Sequence, residues 1–310
     1  MAEKADIFYD SKDGKSQIHA VEWIPEEREP KAILQIVHGM QEYADRYDAF
    51  ARYVADRGFI VVADDHLGHG STVTSDADFG YFAKENGDTI IIEDLHTLHK
   101  MKHSEHPGLP YFMYGFSMGS FMARKYLSMY GEGLDGAIIG GTGWIPSSRL
   151  NFGIAMANLL TFIHGDHYKS RFMARSAFRG YFKRIPHPKT AADWICSKEE
   201  VVSAYVNDPL CGRPFTVNGF KTLFQLIKYI EDPDNAKRVP PNLPLLFISG
   251  KEDPVGQYTE GVKKSAQLYL DHGVKNVSLL LYDHMRHEIH NENRKHIVYL
   301  DILEWLESLM

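Results

Sequence analysis

A serine within a Gly-x-Ser-x-Gly pattern is the strongest chemical signal in this sequence. Residues 115–119 read Gly-Phe-Ser-Met-Gly, with Ser117 at the centre. The apolar run at 111–114 predicts a strand buried on both faces, and a helical pattern follows to about residue 130. A sharp strand-to-helix turn of this kind is a nucleophile elbow, in which the glycines let backbone pass close to a serine at strained dihedral angles. The pattern predicts Ser117 as a nucleophile.

A serine hydroxyl needs a base to activate it, and that base needs an acid to orient it. Where a nucleophile elbow occurs, the acid follows the serine along the chain and stands in a loop after a core strand. Asp253 meets this requirement, because it follows the predicted strand at 245–249. Its neighbour Glu252 is the alternative acid.

The base should be a histidine placed after the last core strand. The predicted strand at 277–282 is followed by His284, His287 and His290. His287 is favoured because it lies some residues beyond the strand and just before the last predicted helix, and His284 is the alternative.

The oxyanion formed during attack on a carbonyl needs two backbone N–H donors. One should come from Met118, the residue after the nucleophile. The other should come from the loop after the predicted strand 32–37, and Met40 is the expected donor.

Two further histidines, His66 and His69, raise the question of a metal site. No cysteine and no third convergent ligand lies near them in the sequence, so we expect them to hold their loop by hydrogen bonds. The sequence predicts neither a metal nor a cofactor.

Composition narrows the class of protein. The chain has 310 residues, is 44% apolar and 24% charged, and carries a net charge of -7. Without a long basic run, nucleic acid is not an expected partner. No apolar stretch reaches the roughly 20 residues that span a bilayer, and no signal peptide is apparent. Transient contact with a membrane and the oligomeric state stay open.

The two cysteines, Cys196 and Cys211, are the only candidates for a disulfide. Free thiols are favoured over a bridge, and the expected location is the reducing cytoplasm.

The elements that must position these residues alternate along the chain. A hairpin at 5–10 and 16–24 comes first. Strands follow at 32–37, 59–63, 111–114, 134–139, 245–249 and 277–282, and helices at 46–57, 88–102, about 118–130 and about 291–309. This alternation predicts an α/β fold with a mostly parallel sheet covered by helices on both faces.

Residues 144–239 interrupt the alternation with helical apolar stretches and proline-bearing loops. We interpret them as a helical insertion between a first core part (1–143) and a second (240–310). Apolar residues at 151–163 exceed what one packing stripe needs, so Leu159 and Phe162 are expected to line an acyl-binding wall. Residues 171–182 are basic and aromatic.

Several motifs together resemble one family of hydrolases. They are residues 38–42 with Arg46 and Tyr47, 65–71, 114–119, Gly250 with Asp253, and His287 with Glu288. The chain resembles α/β-hydrolases of the group that contains monoacylglycerol lipases and bacterial lysophospholipases, the serine-aminopeptidase-type hydrolases. The resemblance implies the α/β-hydrolase fold and a helical cap at 144–239. One departure is Phe116, where the mammalian lipases often have histidine.

The residues and the resemblance agree on a serine carboxylic-ester hydrolase that forms an acyl-enzyme intermediate. Its expected partner is a small-molecule ester with an acyl chain, such as a monoacylglycerol or a lysophospholipid. A small-ester carboxylesterase and an amide or peptide hydrolase are the alternatives. An acidic pair that grips a free amine would favour the latter, and Asp193, Glu199 and Glu200 are candidates. A non-catalytic binding protein is disfavoured because all three catalytic types are present.

Overall fold

Eight strands form one sheet in the computed structural model, which describes residues 2–310. The strands are β1 (Ala2–Asp10), β2 (Gln17–Pro25), β3 (Ala32–Val37), β4 (Phe59–Asp64), β5 (Tyr111–Phe116), β6 (Gly136–Gly140), β7 (Leu245–Gly250) and β8 (Val277–Tyr282). Their order across the sheet is β1-β2-β4-β3-β5-β6-β7-β8. The strands from β3 to β8 are parallel to one another, whereas β1 and β2 form an antiparallel hairpin, and β2 also pairs antiparallel with β4. The predicted α/β class is confirmed.

Helices connect the parallel strands and cover both faces of the sheet. They are α1 (Asp48–Ala55), α2 (Gly87–Glu105), α3 (Met118–Tyr130), α4 (Ser147–His164), α5 (Arg171–Ala177), α6 (Glu199–Asn207), α7 (Val217–Ile230), α8 (Pro233–Ala236), α9 (Glu260–Asp271) and α10 (Lys295–Glu307). One apolar core lies between the sheet and α2, α3, α7 and α9, and a second lies between the sheet and α1 and α10. Every residue of β3 to β7 is buried, which explains why these strands read as continuous apolar runs.

Helix α9 is the core element that the sequence analysis does not predict. Half of its buried positions are Gly261, Ser265 and Ala266, which are small or polar residues. Its apolar stripe is therefore weak, although its place between β7 and β8 is the crossover that two parallel strands require.

The segment between β6 and β7 contains the five helices α4 to α8, and none of its described residues forms a strand. Helix α4 packs along α7, and α7 packs in turn on α2 and α3 of the core. A Cβ at Gly153 of α4 would lie 2.6 Å from the ring of Phe224 on α7, so the two helices are in close contact there. Within residues 2–310, no helix is both long and apolar enough to cross a membrane.

The first turn of α3 lies directly against the carboxyl end of β3. A Cβ added at Gly119 would lie 1.9 Å from the carbonyl oxygen of Val37 and 2.5 Å from that of His38. Both obstacles are backbone atoms, so they cannot move aside as a flexible side chain would. Glycine at 119 is thus a steric requirement of the packing between helix and strand.

We predict that Gly119→Ala lowers the free energy of unfolding by about 2–4 kcal/mol, because overpacking against backbone forces α3 away from the sheet. Urea unfolding followed by circular dichroism measures the change. Gly108→Ala is the control, since a Cβ there meets nothing within 4 Å and only its φ of +89° opposes alanine. That variant should lose only about 1 kcal/mol. Equal losses in the two variants would contradict the steric explanation.

Candidate active site

Ser117 occupies the turn between β5 and α3 in a strained backbone conformation. Its φ is 55° and its ψ is -121°, which non-glycine residues rarely adopt. The turn is held because the Ser117 amide donates to the carbonyl of Gly140 at 2.9 Å, and the Ser120 hydroxyl donates to the Ser117 carbonyl at 2.6 Å. These bonds present the Ser117 hydroxyl above the carboxyl ends of the strands.

The structure brings together Ser117, His287 and Asp253 from three different loops. His287 Nε2 lies 2.8 Å from Ser117 Oγ, and His287 Nδ1 lies 2.9 Å from Asp253 Oδ2. The Asp253 carboxylate is fully buried, and it accepts hydrogen bonds from the Val255 amide at 2.8 Å and the Ser249 hydroxyl at 3.2 Å. Nucleophile, base and orienting acid are thus in contact in the order that acyl transfer requires.

The alternative residues Glu252 and His284 lie outside this arrangement. The side chain of His284 is 88% exposed, and its Nδ1 faces Glu252 Oε1 at 3.6 Å. The two side chains therefore meet each other at the surface instead of reaching Ser117.

The environment of His287 keeps its imidazole basic. Burial lowers its pKa, but nearby carboxylates, Asp253 above all and then Glu288 and Glu42, together outweigh burial, so the pKa of His287 is raised overall. The ring of Phe116 packs on the imidazole at a centroid distance of 4.8 Å. A phenyl ring at position 116 thus adds an apolar wall to the base.

Met40 and Met118 both line the space beside Ser117. Met118 is the first residue of α3, so its amide has no acceptor within the helix. The loop before Met40 presses against the nucleophile, because a Cβ at Gly39 would lie 3.1 Å from Ser117 Cβ. The Gly39 amide donates to Glu42 Oε1 at 2.6 Å, which holds this loop.

A buried charge network joins this loop to the loop of His287. Arg46 Nη2 lies 2.6 Å from both carboxylate oxygens of Glu288, and Arg46 Nε lies 3.2 Å from Glu42 Oε2. Burial raises the pKa of Glu42, although Arg46 opposes the shift. The Glu288 amide donates to the carbonyl of Ile195 at 2.6 Å, which extends the network into the 144–239 segment.

The sequence analysis assigns no role to Glu42, Arg46 and Glu288. They lie within motifs that carry the family resemblance, and this position in the motifs is the sequence feature that could have identified them. Their role appears only when two loops separated by 242 positions meet.

His38, His66 and His69 form a buried group beneath the loop. The rings of His38 and His66 stack at 3.8 Å, and the His66 amide donates to His38 Nε2 at 3.1 Å. Burial lowers the pKa of His38 well below its ordinary value and that of His69 to about 3, so both rings are neutral. His66 Nε2 lies 3.2 Å from the His38 carbonyl and His69 Nδ1 lies 3.0 Å from the Leu67 carbonyl, so these rings bind backbone.

Elsewhere in residues 2–310, one group of side chains has the spacing of metal ligands, namely Glu22, Glu105 and His106. The ammonium of Lys102 lies 2.9 Å from Glu22 and 2.6 Å from Glu105. A protein cation therefore already neutralises these carboxylates.

Ser117 lies in a cavity of about 1100 Å³, which is lined by residues of the core and of the 144–239 segment. The core contributes Ser117, Met40, Met118 and His287. The 144–239 segment contributes apolar side chains, including Phe152, Met156, Met173, Leu223, Phe224 and Ile227. The cavity thus combines the polar groups around Ser117 with a largely apolar wall.

The prediction that Leu159 and Phe162 line this cavity is wrong. Both side chains point to solvent, with exposed fractions of 51% and 89%. The cavity-lining residues of α4 are Ser148, Arg149, Phe152, Gly153 and Met156. Leu159 shares a helix face with Phe152 but stands about 10 Å further along the axis, and Phe162 is rotated about 240° from Met156. Apolar content identified the helix, but only the packing showed which turns face the site.

The acidic candidates for holding an amine do not line the cavity either. Asp193 accepts hydrogen bonds from the amides of Lys189 and Thr190, and Glu199 forms an ion pair with Lys189 at 2.5 Å. Glu200 is exposed. The carboxylates that line the cavity are Glu42 and Glu288, and Arg46 binds both.

Cys196 and Cys211 are buried free thiols, as predicted.

Comparison with known proteins places this geometry in a family. The family model for serine aminopeptidase S33 matches residues 28–294. A monoacylglycerol lipase from Mycolicibacterium smegmatis is 25% identical over 291 residues, which cover 92% of this chain and 91% of that protein.

Solved structures have the same fold. A thermostable carboxyl esterase from Bacillus coagulans, solved with glycerol, is 32% identical and superposes with a TM-score of 0.92, covering 100% of this chain and 99% of that one. A monoglyceride lipase from Saccharomyces cerevisiae covers 100% and 96% with a TM-score of 0.77, and at 18% identity it is similar in fold alone. These relatives support an ester hydrolase of the α/β type. The chain belongs to the serine aminopeptidase S33 family of α/β-hydrolases.

Proposed function

We propose that this protein is a serine carboxylic-ester hydrolase with Ser117, His287 and Asp253 as its catalytic triad. The observation that carries the proposal is the continuous path of close polar contacts on the floor of a large cavity: Asp253 lies 2.9 Å from His287 Nδ1, and His287 Nε2 lies 2.8 Å from the Ser117 hydroxyl. The pairing gives a serine hydroxyl the base that it needs for nucleophilic attack.

In the proposed reaction, Ser117 Oγ attacks the ester carbonyl while His287 Nε2 accepts the hydroxyl proton. The amides of Met40 and Met118 stabilise the oxyanion, and Asp253 stabilises the imidazolium that forms. The tetrahedral intermediate collapses, the alcohol leaves with the proton from His287, and Ser117 keeps the acyl group. Water, deprotonated by His287, then attacks the acyl-enzyme, and the acid leaves as Ser117 regains its proton.

We further propose that residues 144–239 form a cap over a core made of residues 1–143 and 240–310. Ligands of open α/β sheets bind beyond the carboxyl ends of the strands, which is where this segment contributes to the cavity around Ser117. The apolar wall suits an acyl chain, and monoacylglycerol- or lysophospholipid-like esters are the proposed substrates. The name of the Mycolicibacterium smegmatis relative supports the first of these. Amine recognition is disfavoured because both cavity-lining carboxylates are bound to Arg46.

We predict that a fluorophosphonate probe labels the protein and that Ser117→Ala abolishes labelling, because the nucleophile is lost. Esterase activity of this variant should fall by several orders of magnitude. Gel fluorescence and p-nitrophenyl butyrate hydrolysis measure the two effects. Ser128→Ala is the control, since Ser128 lies near the end of α3, away from the elbow, and donates to the Lys125 carbonyl. Labelling of Ser117→Ala at the wild-type level would assign the nucleophile elsewhere.

The pH profile should report the coupling between His287 and Asp253. His287 acts as a base only when neutral, so kcat/KM rises with pH through its pKa, which Asp253 raises. Asp253→Asn removes the carboxylate that raises the pKa of His287 most, but not the burial, so the acid limb should move to lower pH while the plateau falls. The exposed neighbour variant Glu252→Gln should keep the wild-type limb. An acid limb at the wild-type pH in Asp253→Asn would contradict the proposed effect of Asp253 on the pKa of His287.

Acyl-chain preference should follow the apolar wall. Each buried methylene adds up to about 0.8 kcal/mol, or nearly fourfold in kcat/KM, until the cavity is full. A series of p-nitrophenyl esters from acetyl to dodecanoyl should therefore climb and then level off. Met156→Glu should flatten the climb, whereas Leu159→Glu, on the same helix but beyond the cavity, should retain it. If acetyl esters are best and each added carbon lowers kcat/KM, the acyl-wall proposal fails.

A further inference from the structure

One segment of the proposed cap differs in charge from the rest of the molecule. Residues 169–189 contain no Asp or Glu, although the whole chain has 41 acidic residues and a net charge of -7. The cations of this segment are Lys169, Arg171, Arg175, Arg179, Lys183, Arg184 and Lys189. Such an asymmetry within an acidic protein indicates a surface suited to an anionic ligand.

Part of this basic segment faces the cavity. Arg179 and Lys183 line it, and Arg149 from the first turn of α4 lines it from another element. All three side chains are exposed, so they stand at the opening and not in the buried interior. Within residues 2–310, none of the three forms an ion pair or donates a side-chain hydrogen bond.

Other cations of the same segment have partners. Lys189 pairs with Glu199 at 2.5 Å, Lys169 donates to the carbonyl of Asp76 at 3.1 Å, and Arg184 stacks on the ring of Tyr258 at 3.8 Å. Arg171 and Arg175 also lack such partners among the described residues, but neither lines the cavity, whereas Arg149, Arg179 and Lys183 do. Three unpaired cations line one cavity, while the cavity-lining acids Glu42 and Glu288 are held by Arg46.

We infer that Arg149, Arg179 and Lys183 bind an anionic group, a phosphate or a carboxylate, on an acyl ester whose chain lies against the apolar wall. The inference rests on the proposed ester hydrolase activity and narrows its substrate class to anionic amphiphiles. Guanidinium groups match the oxygens of both anions, and their place at the opening puts the charged group in water while the chain is buried. A neutral monoacylglycerol would leave these cations without a partner.

The test compares matched esters as monomers, below their aggregation concentrations. The substrates are 1-octanoylglycerol, 1-octanoylglycerol 3-phosphate and 3-octanoylglycerate, which are neutral, phosphate-bearing and carboxylate-bearing. We expect kcat/KM for at least one anionic ester to exceed that for the neutral ester by about tenfold, the range that two or three exposed ion pairs supply. The better anion identifies the group. High salt should reduce the ratio, because the pairs are solvent-exposed.

Two double variants separate the opening from the segment as a whole. Arg179→Gln/Lys183→Gln should lower the anionic-to-neutral ratio to near one. Arg171→Gln/Arg175→Gln removes the same charge from the same segment, but neither residue lines the cavity, so the ratio should be retained. Equal losses in the two variants would assign the effect to the charge of the segment as a whole and overturn the inference.

The outcome is distinguishable from failure of the proposed function. A wild-type enzyme that hydrolyses 1-octanoylglycerol but shows a ratio of one or less keeps the function and overturns the inference. If no ester is hydrolysed, calorimetry of Ser117→Ala measures the binding of octanol, octyl phosphate and octanoate. Tighter binding of either anion than of octanol supports the anion site, provided that Arg179→Gln/Lys183→Gln abolishes the difference. Equal binding of octanol and both anions overturns it.

Discussion

The contact between the first turn of α3 and the carboxyl end of β3 is the constraint on which the site depends. No Cβ fits at Gly119 between the helix and the carbonyls of Val37 and His38. The same approach places the strained Ser117 beside the loop of Gly39 and Met40, so the nucleophile and one proposed oxyanion donor share a single packing contact. Loss of this contact would displace both groups together.

Buried charges then hold the surrounding loops in register. Arg46 bridges Glu42, which binds the Gly39 amide, and Glu288, which follows the proposed base. Burying such ions is costly unless each is paired, and Arg46 Nη2 supplies the pairing with 2.6 Å contacts to both carboxylate oxygens of Glu288. The network contributes geometric definition more than net stability, because an apolar substitute would fill the space without orienting two loops.

Three regions of the cavity differ in their chemistry. Its floor carries the polar groups from the ends of the strands, its wall carries apolar side chains from α4 and α7, and its opening carries unpaired cations. This division follows from the topology, since the segment between β6 and β7 leaves the sheet beside the elbow and returns at the strand that leads to Asp253. A substrate with a reactive ester between an apolar chain and a polar group matches that arrangement.

The sequence by itself determined the α/β class, the strand order along the chain and the positions of Ser117, Asp253 and His287. These features can be predicted because they depend on local patterns, namely apolar periodicity, glycine spacing and the loops that follow strands. Tertiary structure decided which acidic residues pair with Arg46 and which turns of α4 face the cavity. Leu159 is exposed to solvent, although its side chain is as apolar as those of the residues that line the wall. Such choices depend on how helices rotate and which distant loops meet, and no local pattern encodes the contacts that set them.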